Sequence, residues 1–395
     1  MTKRILMISN LWPPVVIGGA ELYASALAER LRERRWEVGV VTCGVDSPDV
    51  VEKVPSFPYR VDQFGVQSSA RRAVFHLADF HRRRTATSIG QAIESFAPDV
   101  VHSHAIAGLS VTALTTPNAL GVPHVHTAHD YWLLCRRSTM MDRNGEFCDG
   151  LCRSCAARMS IHEQLLRRHR PDVVLAISHA VAAEHERIRW ARGRVRVVHH
   201  AVPDVDPLPE RPPRSPVVFG YLGRLNENKG VRTLVRAIAG LGDGGRLVVA
   251  GEGPLRATLE KEASQGVEFL GWVDETAKRS FFAMIDCLVV PSEWREPAGL
   301  VVNEARAYGL PVIAARVGGI PELLPEASRP LLFEPGDERQ LLSRLEAFAD
   351  DPSAYRERGF ADDLGWTAHV DAVEAAYSDA IRAHSNEPGP RRPSV

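Results

Sequence analysis

Val217-Val218-Phe219-Gly220-Tyr221-Leu222-Gly223-Arg224-Leu225-Asn226-Glu227-Asn228-Lys229-Gly230 decides the architecture: an apolar, β-rich run breaks into glycines and cations directly after a segment that continues no regular element. That segment, residues 203–216, is dense in Pro, Asp and Arg and reads as a linker. Beyond it, strands are predicted at 217–222, 246–250, 267–270, 287–290 and 311–314. Before it the same rhythm runs once already, with strands at 4–9, 38–42, 99–102, 122–127, 172–177 and 194–198 and helical patterns such as 20–34 and 178–188. Strands alternating with helices imply parallel sheets covered on both faces. The expected architecture is α/β: two Rossmann-like doubly wound domains, 1–202 and 217–383, facing an interdomain cleft. The tail 384–395 has too few apolar residues to anchor it and is expected to be disordered.

Composition fits a soluble enzyme. A chain of 395 residues exceeds one comfortable core, and its 45% hydrophobic and 25% charged content is that of ordinary globular protein. No apolar run reaches membrane-spanning length, and residues 1–10 are too short an apolar stretch for a signal peptide, which points to the cytoplasm. The formal net charge of -1 conceals an asymmetry, because residues 1–200 carry 26 Lys+Arg against 19 Asp+Glu and are therefore +7. The near-neutral total does not suggest a nucleic-acid partner, while the basic half suits an anionic acceptor or membrane surface.

In open α/β sheets ligands bind beyond the carboxyl ends of the strands, so chemistry is expected just after each run. Glu293-Trp294-Arg295-Glu296-Pro297-Ala298-Gly299-Leu300-Val301-Val302-Asn303-Glu304-Ala305 carries two carboxylates eight positions apart around a predicted helix start, Glu296 before it and Glu304 inside. Pro297 suits a first helical turn, Gly299 lets a ligand approach the backbone, and unpaired amides there form a seat for phosphate. An acid at each end of such a seat suits a sugar nucleotide, one facing the hexose and the other the ribose. An ordinary capped helix with a solvated Glu is the plainer reading. Arg224 offers a fork of donors and Lys229 a compact charge, enough to neutralise a diphosphate. Gly251-Glu252-Gly253-Pro254 is either simple turn chemistry or part of the nucleotide pocket. Gly18-Gly19, opening the first helix, presents amides to a diphosphate or serves only a tight turn.

Taken together these motifs resemble the retaining glycosyltransferases of family 4, with the two-domain GT-B architecture. The likeness rests on Gly18-Gly19, Gly223-Arg224-Leu225 with Lys229-Gly230, Gly251-Glu252-Gly253-Pro254, the Glu-Pro-x-Gly-Leu segment and Gly318-Gly319-Ile320-Pro321-Glu322. It implies a nucleotide-diphosphate sugar, UDP-, GDP- or similar, held mainly by the second domain, a hydroxyl acceptor held mainly by the first, and no metal or other cofactor for catalysis. Carried over residue by residue, Arg224 and Lys229 contact the diphosphate, Glu296 the donor hexose, Glu304 the ribose, and the amides around Gly299 and Leu300 add phosphate contacts. Ala298 departs from the family, where an aromatic is common, and leaves the sugar pocket wider. The family also places a histidine near the donor sugar, and that role falls on His129 in His124-Val125-His126-Thr127-Ala128-His129-Asp130. His126 follows the strand's alternation and reads equally as structural. His102 and His104 lie at another strand end, with structural and functional readings open. Asp130 either orients the ring of His129 or caps the next segment.

Charge on the departing diphosphate would be stabilised by Arg224, Lys229 and helix amides. The family implies attack of the acceptor on the same face, with retention of configuration. A sugar-nucleotide epimerase and a catalytically silent sugar-nucleotide or glycan-binding subunit are the rival readings.

Four cysteines, Cys135, Cys148, Cys152 and Cys155, fall in one window with spacing Cys-x12-Cys-x3-Cys-x2-Cys inside an insertion at 130–158. The clustering suggests a structural zinc, with reduced, packed thiols as the alternative. Two basic clusters, Arg71-Arg72 with His81-Arg82-Arg83-Arg84 and Arg167-Arg168-His169-Arg170, suit either a solvated helix face or peripheral contact with an inner membrane face, with Ala73, Val74, Phe75, Leu77 and Phe80 as an apolar side.

Overall fold

The structure, a computed structural model, describes residues 3–61, 63, 67–142, 145–148, 150–209, 212, 214–355 and 365–386. Its first sheet holds seven parallel strands: β1 Lys3–Ile8, β2 Trp36–Cys43, β3 Val50–Val54, β4 Val100–Ser103, β5 His124–Ala128, β6 Val173–Ala176 and β7 Val195–Val197, in the order β3-β2-β1-β4-β5-β6-β7. Central strands are buried on both faces, so they read as unbroken apolar runs rather than alternations; Ile5, Leu6, Met7 and Ile8 are all fully buried. The register sets Ile5 beside Val38 on one side and Val100 on the other. Helix Gly19–Glu33 covers this sheet through Ala24, Leu27, Ala28 and Leu31, which recur at helical spacing.

The second sheet is built the same way from β8 Val217–Leu222, β9 Gly245–Ala250, β10 Val267–Gly271, β11 Cys287–Val290, β12 Val312–Ala315 and β13 Leu332–Phe333, in the order β10-β9-β8-β11-β12-β13. Its core runs from Phe219 and Leu247 through Leu288 and Ile313 to Phe348. The predicted strands are present to within a residue or two, and two more appear, β3 and β13. Each sheet reverses its strand order once, between β1 and β4 and between β8 and β11, and such reversals open the crevices where α/β proteins hold ligands.

The chain divides into two compact units, residues 1–139, 148–199 and 367–395 in one and 140–147 and 200–366 in the other. The second unit thus ends at residue 366 rather than 383. Helix Trp366–Asn386 supplies the reason, since Trp36 donates its indole N–H to Glu374 at 2.7 Å and the Tyr377 hydroxyl lies 2.8 Å from His102 Nδ1, both within the first unit. The predicted tail is also helical as far as Asn386, with His384 Nδ1 3.2 Å from the Asn118 amide; the rest of it lies outside the described residues. No helix among the described residues is long and apolar enough to cross a membrane.

Candidate functional site

In the second unit the loops leaving β8, β9, β11 and β12 gather at the carboxyl ends of their strands, and two glycines set how closely they pack. A Cβ on Gly230 would stand 1.8 Å from the carbonyl oxygen of Pro291, and one on Gly318 2.1 Å from that of Glu296. Both glycines have positive φ, 66° and 57°, a conformation that costs other residues energy. Backbone bonds complete the junction: Glu293 donates to the Asn228 carbonyl at 2.9 Å and Gly319 to that of Glu296 at 2.8 Å. On the other side, Gly223 donates to Ala250 at 3.0 Å, Gly251 to Gly271 at 2.7 Å and Leu225 to the Glu252 carbonyl at 2.9 Å.

This frame brings Lys229 and Glu296 together. Lys229 Nζ lies 2.5 Å from Glu296 Oε1, Ser292 donates its hydroxyl to the same oxygen at 2.7 Å, and the ammonium stands 5.2 Å from the centre of the Trp294 ring. Glu296 is only 5% exposed, and a carboxylate so buried needs its cation and hydroxyl partners. Nearby, Thr233 donates to Glu293 at 2.5 Å. Glu304 lies one turn into helix Leu300–Ala307, where Lys278 from helix Glu275–Met284 reaches it at 2.8 Å while also holding Glu275 at 2.6 Å. Burial pushes the Glu304 carboxyl above its ordinary range, and the Lys278 charge opposes that shift. Lys278 and Ser292 were not singled out from the sequence. Lys278 lies 26 positions before Glu304, and nothing in its own segment marks it.

The helix begins later than expected. Gly299, in the left-handed region at φ 92°, is its N-cap and Leu300 its first residue, so Pro297 belongs to the preceding loop with Ala298, and both are buried. A left-handed residue cannot continue a right-handed turn, which moves the start three positions downstream of Pro297. Arg224 is exposed, its carbonyl accepting the Tyr221 hydroxyl at 2.8 Å. Glu252 is an exposed residue paired with Arg256 at 3.1 Å, and Gly253 packs against the backbone of Leu225.

In the first unit, His129 lies just beyond β5 with its Nε2 3.2 Å from His104 Nδ1, against the edge of the Tyr23 ring at 5.2 Å between centres. His102, His124 and His126 are interior: His102 bonds Tyr377 and Thr127, and His124 and His126 share the Ser103 hydroxyl at 2.7 and 3.0 Å. Burial holds His124 and His126 down to about 3, so they are neutral packing groups. Asp130 caps the next turn of chain, accepting the Trp132 N–H at 2.7 Å, and burial lifts its carboxyl to about 6. At Gly18-Gly19 the Gly18 amide is already engaged, donating to the Glu21 carboxylate at 2.9 Å as a helix cap.

The four clustered cysteines are not gathered into a tetrahedral set. Among the described residues no three of their sulfurs lie within 4.8 Å of one another, and Cys152 is exposed while Cys135 and Cys155 are buried. The predicted apolar side of helix Ser69–Ala78 also changes, because Phe75 is 3% exposed and packs on Tyr59, leaving Val74 and Leu77 outward.

Comparison with known proteins agrees with this geometry. Residues 17–205 match the model of Glycosyltransferase Family 4 and residues 216–351 that of Glycosyl transferases group 1. Glycogen synthase of Mycobacterium tuberculosis is 27% identical over 423 residues, covering 99% of this chain and 98% of that protein. Among solved structures, sucrose-phosphate synthase from Thermosynechococcus elongatus superposes with a TM-score of 0.73 at 21% identity, covering 96% of this chain and 100% of the other. Anabaena HepE in complex with UDP and glucose gives 0.63 at 19% identity, covering 97% of each chain. At such identities the superpositions speak to the fold alone. With both sheets matched and the two family models spanning most of its length, the chain belongs to the family 4 glycosyltransferases of GT-B architecture.

Proposed function

We propose that the protein is a retaining hexosyltransferase that moves a hexose from a nucleotide-diphosphate sugar to a hydroxyl of a glycan, glycolipid or natural-product acceptor. The observation that carries this reading is the junction of Lys229, Ser292 and Glu296 beside the Leu300–Ala307 helix start, with Glu304 one turn inside. HepE bound to UDP-glucose and starch synthase IV bound to ADP, both of this fold, support a nucleotide-sugar donor.

In this mechanism the Lys229 ammonium, the Arg224 guanidinium and the amides at Gly299 and Leu300 face the diphosphate. They stabilise charge that builds on it as the bond from the hexose C1 to the phosphate oxygen breaks, the electrostatic term that dominates many enzymes. Glu296, fixed by Ser292, accepts hydrogen bonds from hexose hydroxyls, and Glu304 accepts those of the ribose. His129 hydrogen-bonds the transferred hexose. The acceptor hydroxyl attacks on the face the diphosphate leaves, and its proton passes to a phosphate oxygen, so no protein nucleophile is consumed. Ala298, small and buried, leaves room beside the hexose. Val74 and Leu77, exposed at 41% and 68% next to Arg71 and Arg72, provide peripheral contact with an anionic membrane face.

Thermal-shift screening against UDP-, GDP- and ADP-sugars, followed by nucleotide release with and without alcohol acceptors, tests the proposal. A transferase stabilised by one donor releases nucleotide in proportion to acceptor and forms a product with the donor's anomeric configuration. Donor conversion that is independent of acceptor, or a product of inverted configuration, contradicts it.

A further inference from the structure

His104 lies one residue beyond β4 and is only 1% exposed. Its backbone is held from the β1 side: His104 donates its N–H to the Ile8 carbonyl at 2.8 Å, and the carbonyl of Ala105 accepts the Asn10 N–H at 2.6 Å. The chain therefore stays extended past the last strand residue, and the side chain two positions after His102 returns to the same face. The rings of His102 and His104 stand 4.1 Å apart between centres.

His104 is clamped through both of its neighbours. On one flank, His102 is fixed at both nitrogens, by the Tyr377 hydroxyl at 2.8 Å and the Thr127 hydroxyl at 2.7 Å. On the other, the Tyr23 ring meets His104 edge-on at 5.9 Å and His129 at 5.2 Å. Tyr23 is anchored in turn. His369 donates from Nδ1 to the His199 carbonyl at 2.8 Å, and burial holds its ring neutral, so its Nε2 accepts the proton of the Tyr23 hydroxyl at 2.8 Å. Tyr377 and His369 both belong to helix Trp366–Asn386, which thus braces the histidines from two sides of the first unit.

The remaining bond points to a purpose for this bracing. His104 Nδ1 stands 3.2 Å from His129 Nε2. Two imidazole nitrogens form such a bond only when one carries a proton and the other a lone pair, so the tautomer of His129 is tied to that of His104. A flip of the His129 ring, or a move of its proton, breaks the bond and strands a buried nitrogen of His104, which costs free energy.

We propose that His104 is a positioning residue for His129, holding its Nε2 so that the ring keeps one orientation and one neutral tautomer. The inference rests on the reading of His129 as a contact to the transferred hexose, and deepens it. A contact to a sugar hydroxyl needs a defined donor or acceptor at a defined atom, and an imidazole provides one when its second nitrogen is engaged elsewhere.

Two variants separate the hydrogen bond from the packing. His104→Leu keeps a side chain of similar size and loses the bond, whereas His104→Asn restores an amide atom near the place of Nδ1. The first arm uses the full chain without ligand, its histidine rings labelled with 15N, at about pH 8, where an ordinary imidazole is neutral. Signals of His129 are assigned by their loss in His129→Gln. The proposal expects two well separated nitrogen shifts for His129 in the wild type and in His104→Asn, and shifts drawn together in His104→Leu as two tautomers interconvert. Averaged shifts in the wild type, or unchanged shifts in His104→Leu, overturn it. The second arm measures initial rates with the donor and acceptor selected by the screen above, below the melting temperature of each variant. In His104→Leu, kcat falls about tenfold, the worth of one neutral hydrogen bond, with KM changed less than about twofold, and His104→Asn recovers most of the loss. Equal losses in both variants, or a loss confined to KM, overturn the proposal. A His129→Gln variant with unchanged kcat removes the hexose contact of the proposed function, and the nitrogen shifts alone then decide whether His104 holds His129.

Discussion

Lys278 and Glu304 show how one ion pair sets the charge of a buried carboxyl. Taken alone, a buried carboxylate prefers its proton, and the Lys278 ammonium at 2.8 Å opposes that preference. Replacing Lys278 with Met should therefore raise the donor KM about tenfold with less effect on kcat, since the ribose contact proposed for Glu304 would be made equally in ground and transition states. The deficit should grow as pH falls, because the unpartnered carboxyl protonates at higher pH. Initial-rate kinetics across pH check this, and a pure kcat loss would argue against the ribose role. In the proposed mechanism Lys229 faces the departing diphosphate instead. Its replacement by Ala should lower kcat by about 100-fold or more, the scale of losing one preorganised charge at a departing group. It also leaves Glu296 without its cation, so the melting temperature should be measured beside the rate; a stability loss with kcat intact would assign Lys229 to structure alone.

At the scale of elements, the glycine contacts lead to a sharper expectation. Gly230→Ala must move either the Pro291 carbonyl or its own loop, and it places a Cβ on a left-handed residue, a cost of roughly 1–3 kcal/mol before any clash. Donor affinity should fall with stability because the same loops carry Lys229 and Glu296. Calorimetric titration of donor at a temperature where the variant stays folded would show unchanged affinity if the junction were irrelevant. The same local logic decides how legible each element was in the sequence. Central strands such as β8 and β11 could be read because burial on both faces writes an apolar run. β3 could not, since at the sheet edge its residues alternate half-buried and exposed with only Val54 buried, and β13 is two residues long. Glu296, Glu304 and Lys229 stand out in the sequence through their motifs, whereas Lys278 comes from a distant helix that only the fold brings near. The helix start was misplaced because Pro297 is a strong start signal and the left-handed Gly299 overrides it. Likewise, the return of helix Trp366–Asn386 to the first unit depends on Trp36 and His102 as partners, which no local pattern reveals.

For the whole molecule, the buried histidines predict how the protein responds to acid. His124 and His126 are held to about 3 and His369 to about 4 by burial, and burial also holds His102 well below its ordinary value. In the unfolded chain each binds a proton near pH 6.5, so acid favours unfolding and stability falls as pH drops below that value. Each such group adds a slope of up to about 1.4 kcal/mol per pH unit. Asp79 and Asp130, raised to about 6 by burial, act in the opposite direction, since the folded form takes up their protons first. With His76, His162 and His185 also lowered, seven histidines outweigh the three raised carboxyls, Asp79, Asp130 and Glu304, and the melting temperature should decline from about pH 6.5 to pH 4. A melting temperature flat or rising over that interval would mean that the histidines are not buried as described. In the proposed function the carboxyl ends of β8 and β11 seat a nucleotide diphosphate. Its most direct test is a crystal structure of the chain with the nucleoside diphosphate that stabilises it most. The diphosphate is expected against Lys229 and the Gly299–Leu300 amides, with the ribose hydroxyls on Glu304; a nucleotide bound elsewhere, with the Lys229–Glu296 junction empty, would contradict the proposed function.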